Sequence, residues 1–129
     1  MRHVYTSAIF YGQKGKRILE RLLVDTGATY TILPPLLADE IGVFPTPYRT
    51  QLTLADTSRK IASLGLAEVE VEGRRQPVEI TVVENRVPVL GVQALDVLGL
   101  EVNPIKKRLE AVRESGGLAL ANQRIHRER

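Results

Sequence analysis

RLLVDTGATYTILPP, Arg21 to Pro35, is the stretch on which the reading of this chain turns. Leu22, Leu23 and Val24 run straight into Asp25, and Thr26-Gly27-Ala28 follows before the sequence becomes apolar again. An ionised carboxylate at the end of a buried run is costly unless it is hydrogen-bonded, paired or protonated. Asp-Thr-Gly offers a remedy. Gly27 lets the chain bend sharply and brings backbone N–H groups toward the carboxylate, while Thr26 adds a hydroxyl and a β-branched body. The outcome is a carboxylate presented on a rigid loop between strands. The plainer reading is an ordinary hairpin turn, and the tripeptide alone does not separate the two.

Outward from this loop the chain is mostly β. "HVYTSAIFY" reads as a strand and "GQKG", Gly12 to Gly15, as a turn. "KRILERLLVD" has apolar spacing that would suit a helix, but a strand feeding a Thr-Gly turn fits better. "TYTILPPLLADEIGV" passes from a β-branched stretch into a short helix, with Pro34-Pro35 at its start and Gly42 at its end. The middle alternates in several short runs. Val69 and Val71 interleave with glutamates, and "EGRR" turns the chain into Val78, Ile80 and Val82. "ADTS", Ala55 to Ser58, reads as a hairpin tip. "VPVLG" is a compact apolar strand, "VQALDVLGLEV" begins as a short helix, and "KKRLEAV" is the last strand. The charged end, residues 113–129, is expected to be a partly mobile tail outside a domain of residues 1–112.

Composition bounds the rest. The 129 residues suffice for one domain, with 43% hydrophobic and 26% charged residues in a soluble globular balance. Without cysteine there is no disulfide framework and no cysteine-based metal site, which fits a reducing, cytoplasmic setting. His3 and His126 lie near opposite ends, so no metal site and no cofactor is expected. No run is long enough to span a membrane. The net charge of +3 is dispersed, and the aromatic residues, 5% of the chain, are scattered, so a nucleic-acid face is not expected either. "GQKGKR" lacks the spacing of a phosphate loop.

Three segments together resemble the retropepsin-like aspartic proteases, single-domain relatives of retroviral proteases. They are "LLVDTGATYTIL", then a hairpin-rich β region where that family keeps its flap, then "VPVLGVQALDVLGLEV" with its apolar-apolar-Gly strand and short helix. The resemblance spans roughly Val4 to Val112. It implies a mainly β fold, a closed, barrel-like sheet with a flap hairpin and short helices. It also implies an aspartic endopeptidase in which two Asp carboxylates share one water and one proton. This chain has one Asp-Thr-Gly. Asp56 lacks the glycine, Asp39 sits beside Glu40 on a short helix, and Asp96 falls in the later helix. The implied second carboxylate is therefore Asp25 of a second copy, in a twofold homodimer acting on a peptide or protein substrate.

The resemblance also assigns supporting roles. Thr26 hydrogen-bonds across the dimer, Gly27 offers backbone contacts to substrate, and Ala28 follows the retroviral pattern. Gly91 lets the "VPVLG" strand pass close behind the loop. Tyr30, Ile32, Val87 and Val89 line side-chain pockets, and Ala55 and Asp56 lie at the flap tip over the substrate. One departure stands out: "TLADTSRK" has no glycine, unlike retroviral flap tips. The rival expectation is a dimeric binding module on the same fold with little or no proteolysis.

Overall fold

The computed structural model describes residues 3–53 and 56–113. The architecture is mainly β, with two short helices. A seven-stranded sheet carries the fold. In chain order its strands are β1 (Val4–Tyr11), β2 (Lys16–Val24), β3 (Thr31–Leu33), β4 (Phe44–Thr53), β5 (Arg59–Val71), β6 (Arg74–Val82) and β7 (Val89–Leu90). Their order in the sheet is β1-β2-β7-β3-β6-β5-β4, and β1 also pairs with β5. That extra pairing bends the sheet into a ring, with β4 hanging outside it as the partner of β5 alone. Two further strands, β8 (Leu100–Asn103) and β9 (Arg108–Ala111), make a separate antiparallel pair.

Alternation explains most of the ring. In β1, Val4, Thr6, Ala8 and Phe10 face inward while Tyr5 and Ser7 face out. β2 breaks the pattern, because Leu19 and Leu22 both turn to the core although they lie three positions apart. The β1–β2 register shows why. Thr6 pairs with Leu22 but Ala8 pairs with Leu19, so β2 carries one extra residue there. Such a bulge resets the inward phase. The spacing that imitates a helix is that of a bulged strand.

The helices start and stop where the sequence indicates. α1 (Pro35–Ile41) has Pro34 before it in an extended conformation and ends at Gly42, whose φ of 77° is left-handed. The Gly42 N–H donates to the Ala38 carbonyl, closing the last turn. Leu37, Ala38 and Ile41 face the core. α2 (Val92–Leu98) buries Ala94, Leu95 and Leu98 on the same core and ends at Gly99, φ 70°. The last-strand expectation "KKRLEAV" holds for Arg108–Ala111, but β8 is a separate strand that follows α2 after a single glycine. Asn103 ties the turn between β8 and β9, its Oδ1 accepting the Ile105 and Lys106 N–H groups at 3.0 and 2.9 Å. Among the described residues no helix is long and apolar enough to cross a membrane.

Candidate active site

Asp25 leaves the end of β2 with its backbone fixed on both sides. Its N–H donates to the Leu90 carbonyl at 3.0 Å, and its carbonyl accepts the Ala28 N–H at 3.1 Å. The side chain is held as well, because Oδ1 accepts the Gly27 N–H at 2.9 Å. Asp25 is half-buried, while Thr26 and Gly27 are exposed. The apolar lead-in is thereby explained in structural terms. Leu22 and Val24 anchor β2 in the core, and the acid emerges at the first residue beyond it.

Behind the loop lies β7. It pairs in parallel with β2, Leu23 to Val89 and Val24 to Leu90, and antiparallel with β3, Ile32 to Val89. Both arms of the Asp25 loop therefore rest on one short strand. Gly91 ends that strand against the loop. A Cβ there would lie 2.4 Å from the Tyr30 carbonyl oxygen and 2.9 Å from that of Ala28, closer than any side chain fits. The Gly91 N–H donates to the buried Thr31 Oγ1 at 3.1 Å, and the Thr81 hydroxyl donates to the Thr31 carbonyl at 3.3 Å. The first N–H groups of α2 complete the support: Val92 donates to Ala28 at 2.8 Å and Gln93 to Thr29 at 2.9 Å. These are helix-end donors that would otherwise lack partners. Each carbonyl of Asp25, Ala28 and Thr29 thus accepts a backbone bond.

The loop opens on two hollows. One is a cleft of about 400 Å³ between the loop and the β4–β5 hairpin, lined by Asp25, Gly27 to Tyr30, Ile32, Thr50 to Thr53 and Arg86. The other is about 370 Å³ and adjoins the end of β2. There His3, Val4, Val102, Pro104 and Lys107 surround Leu23 to Thr26. Asp25 borders both.

The residues singled out in the sequence fall in different places. Gly27, Ala28, Tyr30 and Ile32 line the cleft with Asp25, whereas Thr26 faces the second hollow. Val89 is 1% exposed and packs with Ile32 and Val83 in an apolar cluster beneath the cleft. Val87 is 64% exposed. Asp56 is exposed at the hairpin tip, where its Oδ1 accepts the Ser58 N–H at 3.0 Å and the Ser58 hydroxyl at 2.5 Å. Those two bonds hold its carboxyl below the usual carboxylate range. Ala55 lies outside the described residues. Asp39 and Asp96 are exposed on α1 and α2. Among the described residues no group of three or more His, Cys, Asp or Glu side chains is placed to hold a metal.

Sequence reasoning missed Arg86 and the inner edge of β4, Thr50 to Thr53. Alternation could have found the second, since Thr50 and Leu52 are the half-buried members of an otherwise exposed run. Arg86 carries only a weak signal, a lone cation placed directly before the apolar "VPVLG" strand.

Over residues 14–102 the chain matches the model of a family described as "gag-polyprotein putative aspartyl protease". Its fold is similar to that of a solved structure, EIAV protease complexed with the inhibitor HBY-793. The TM-score is 0.62 at 18% identity, over 79% of this chain and 93% of that one. No curated protein matches. The family match takes in the Asp25 loop, the β4–β5 hairpin, β7 and α2, so this chain belongs to the retropepsin-like aspartyl proteases of the gag-polyprotein family.

Proposed function

We propose that the protein is an aspartic endopeptidase that works as a homodimer, with Asp25 and the partner's Asp25 facing each other across one water. The observation that carries this reading is the state of Asp25. It is the only Asp-Thr-Gly aspartate in the chain, it is rigidly held, and one of its oxygens makes no hydrogen bond among the described residues. It also borders a second hollow, lined by Thr26, whose exposed side chain offers a hydroxyl to a second copy.

Two carboxylates so close share one proton, because two like charges repel and their titrations couple. The ionised member takes a proton from the water, whose oxygen attacks the peptide carbonyl carbon. The protonated member donates to the carbonyl oxygen as charge develops there. The tetrahedral intermediate collapses when the C–N bond breaks and the nitrogen receives a proton from the dyad. Gly27, without a side chain, leaves room for the extended peptide to reach the loop backbone. The β4–β5 hairpin covers it from above with Thr50 to Thr53.

The test is cleavage of a mixed peptide library by the purified protein, with and without pepstatin, a mimic of the tetrahedral intermediate. Cleavage that pepstatin blocks and that Asp25→Asn abolishes supports the reading. Peptide binding with no cleavage across the acidic and neutral pH range would mark a binding module on the same fold.

A further inference from the structure

The loop between β6 and β7 brings a cation to the cleft. Asn85, with a left-handed φ of 58°, turns the chain, and Arg86 follows it, half-buried and lining the same cleft wall as Asp25. Of the residues around this cleft, only Asp25 and Arg86 are charged; the others are threonines, Gln51, Tyr30, glycine or apolar. Arg17, Arg75 and Arg108 each have a carboxylate partner. Arg86 has no ion pair or hydrogen bond among the described residues, and Glu84, two residues earlier, is exposed and does not reach it. The hairpin above adds to the sign. Toward its tip, over residues 49–60, Arg49, Arg59 and Lys60 are exposed without ion pairs among the described residues, against one acid, Asp56, whose carboxylate is already engaged by Ser58.

We propose that Arg86 makes this a cleft for acidic peptides, selecting an Asp or Glu side chain close to the scissile bond. This rests on the peptide-cleft reading above. An unpaired guanidinium gains most from a carboxylate, which it grips with two parallel N–H donors. With Asp25 committed to the water, Arg86 is the fixed charge left to recognise the peptide. A neutral side chain at the same place leaves it without an ionic partner. In a twofold dimer Arg86 recurs in each half, so the preference applies on both sides of the cut.

The experiment uses matched peptides carrying Glu, Gln or Lys at each position flanking the cut. Cleavage is measured as kcat/KM for the wild type, Arg86→Gln and Arg86→Glu. Binding is measured as Kd for Asp25→Asn and for Asp25→Asn combined with Arg86→Gln. At one or more positions Glu should exceed Gln by about tenfold, the scale of a charge-assisted hydrogen bond. Arg86→Gln should erase that ratio, and Arg86→Glu should invert it toward Lys. Should a variant fail to fold, the wild-type ratio is followed against salt, where an ionic preference must shrink. Cleavage indifferent to peptide charge in every form, or a ratio insensitive to salt, overturns the inference and leaves the protease reading intact. Tighter binding of Glu peptides that depends on Arg86, without any cleavage, upholds the inference and overturns the protease reading. Absence of both binding and cleavage overturns both.

Discussion

Asp25-Thr26-Gly27 and Asp56-Thr57-Ser58 begin with the same two residues and make the same first hydrogen bond. In each, the Asp Oδ1 accepts the backbone N–H two residues on, at 2.9 Å in the first and 3.0 Å in the second. They diverge at the third residue and in what lies behind them. Ser58 adds a hydroxyl bond to the same oxygen, and Asp56 stands exposed at the hairpin tip with its charge satisfied locally. Gly27 adds nothing, so Asp25 keeps its capacity to accept. Thr57 takes a left-handed φ of 67° on a tip that juts from the ring. The Asp25 loop is pinned by Leu90, Val92 and Gln93. The tripeptide sets the turn, and what surrounds it decides whether the carboxylate keeps an open acceptor, as at Asp25, or is taken up by its own turn, as at Asp56.

The sharpest way to break this comparison is to treat both aspartates alike. Asp25→Asn is nearly isosteric and should reduce kcat/KM by at least about 10³-fold, the scale of a lost acid–base group. Asp56→Asn should change it by less than about threefold, since the Asp56 carboxylate is engaged by Ser58 and does not line the cleft. Peptide cleavage on both variants reads this directly, and equal losses would mean that the two loops are equivalent. Next in size is the support behind the first loop. Gly91→Ala places a methyl against two carbonyl oxygens and should cost about 1–3 kcal/mol or more in chemical denaturation. A neutral result would show that β7 does not brace the loop.

The tip should respond more weakly. Thr57→Gly relieves a β-branched residue of a left-handed conformation but adds chain entropy. The net gain should stay below about 1 kcal/mol. The smallest effect is that of pH on the tip. Because Ser58 lowers the Asp56 pKa in the folded state, the turn keeps its full contribution above the ordinary carboxylate range. It loses it only as pH falls through the lowered folded value. NMR titration of Asp56 and the Ser58 amide should show that late transition, and Asp56→Asn should remove it.

Much of this was legible in the sequence because the deciding features are local. Asp-Thr-Gly after an apolar run, Pro34-Pro35 ahead of a helix, Gly42 behind it and Gly91 after two buried residues each reflect a backbone need that few residues meet. What escaped depends on partners distant in the chain. The helical look of Leu19 and Leu22 comes from a bulge visible only in the register with β1. Val89, expected to line a pocket, is buried beneath the cleft because β2 and β3 pair with it from both sides. Arg86 reaches the cleft only because β7 brings the preceding loop beside Asp25, and no periodicity marks a cation for that position.

The central claim is that one site is built from two chains, and subunit mixing tests it most directly. Wild-type protein at fixed concentration is mixed with increasing Asp25→Asn, the subunits are allowed to exchange fully, and cleavage is measured. If both carboxylates form one site, every mixed dimer is silent. Activity should then fall steadily as mutant chains draw wild-type chains into silent pairs. A flat response, with exchange confirmed independently, would contradict the shared site even if Asp25 itself proved essential.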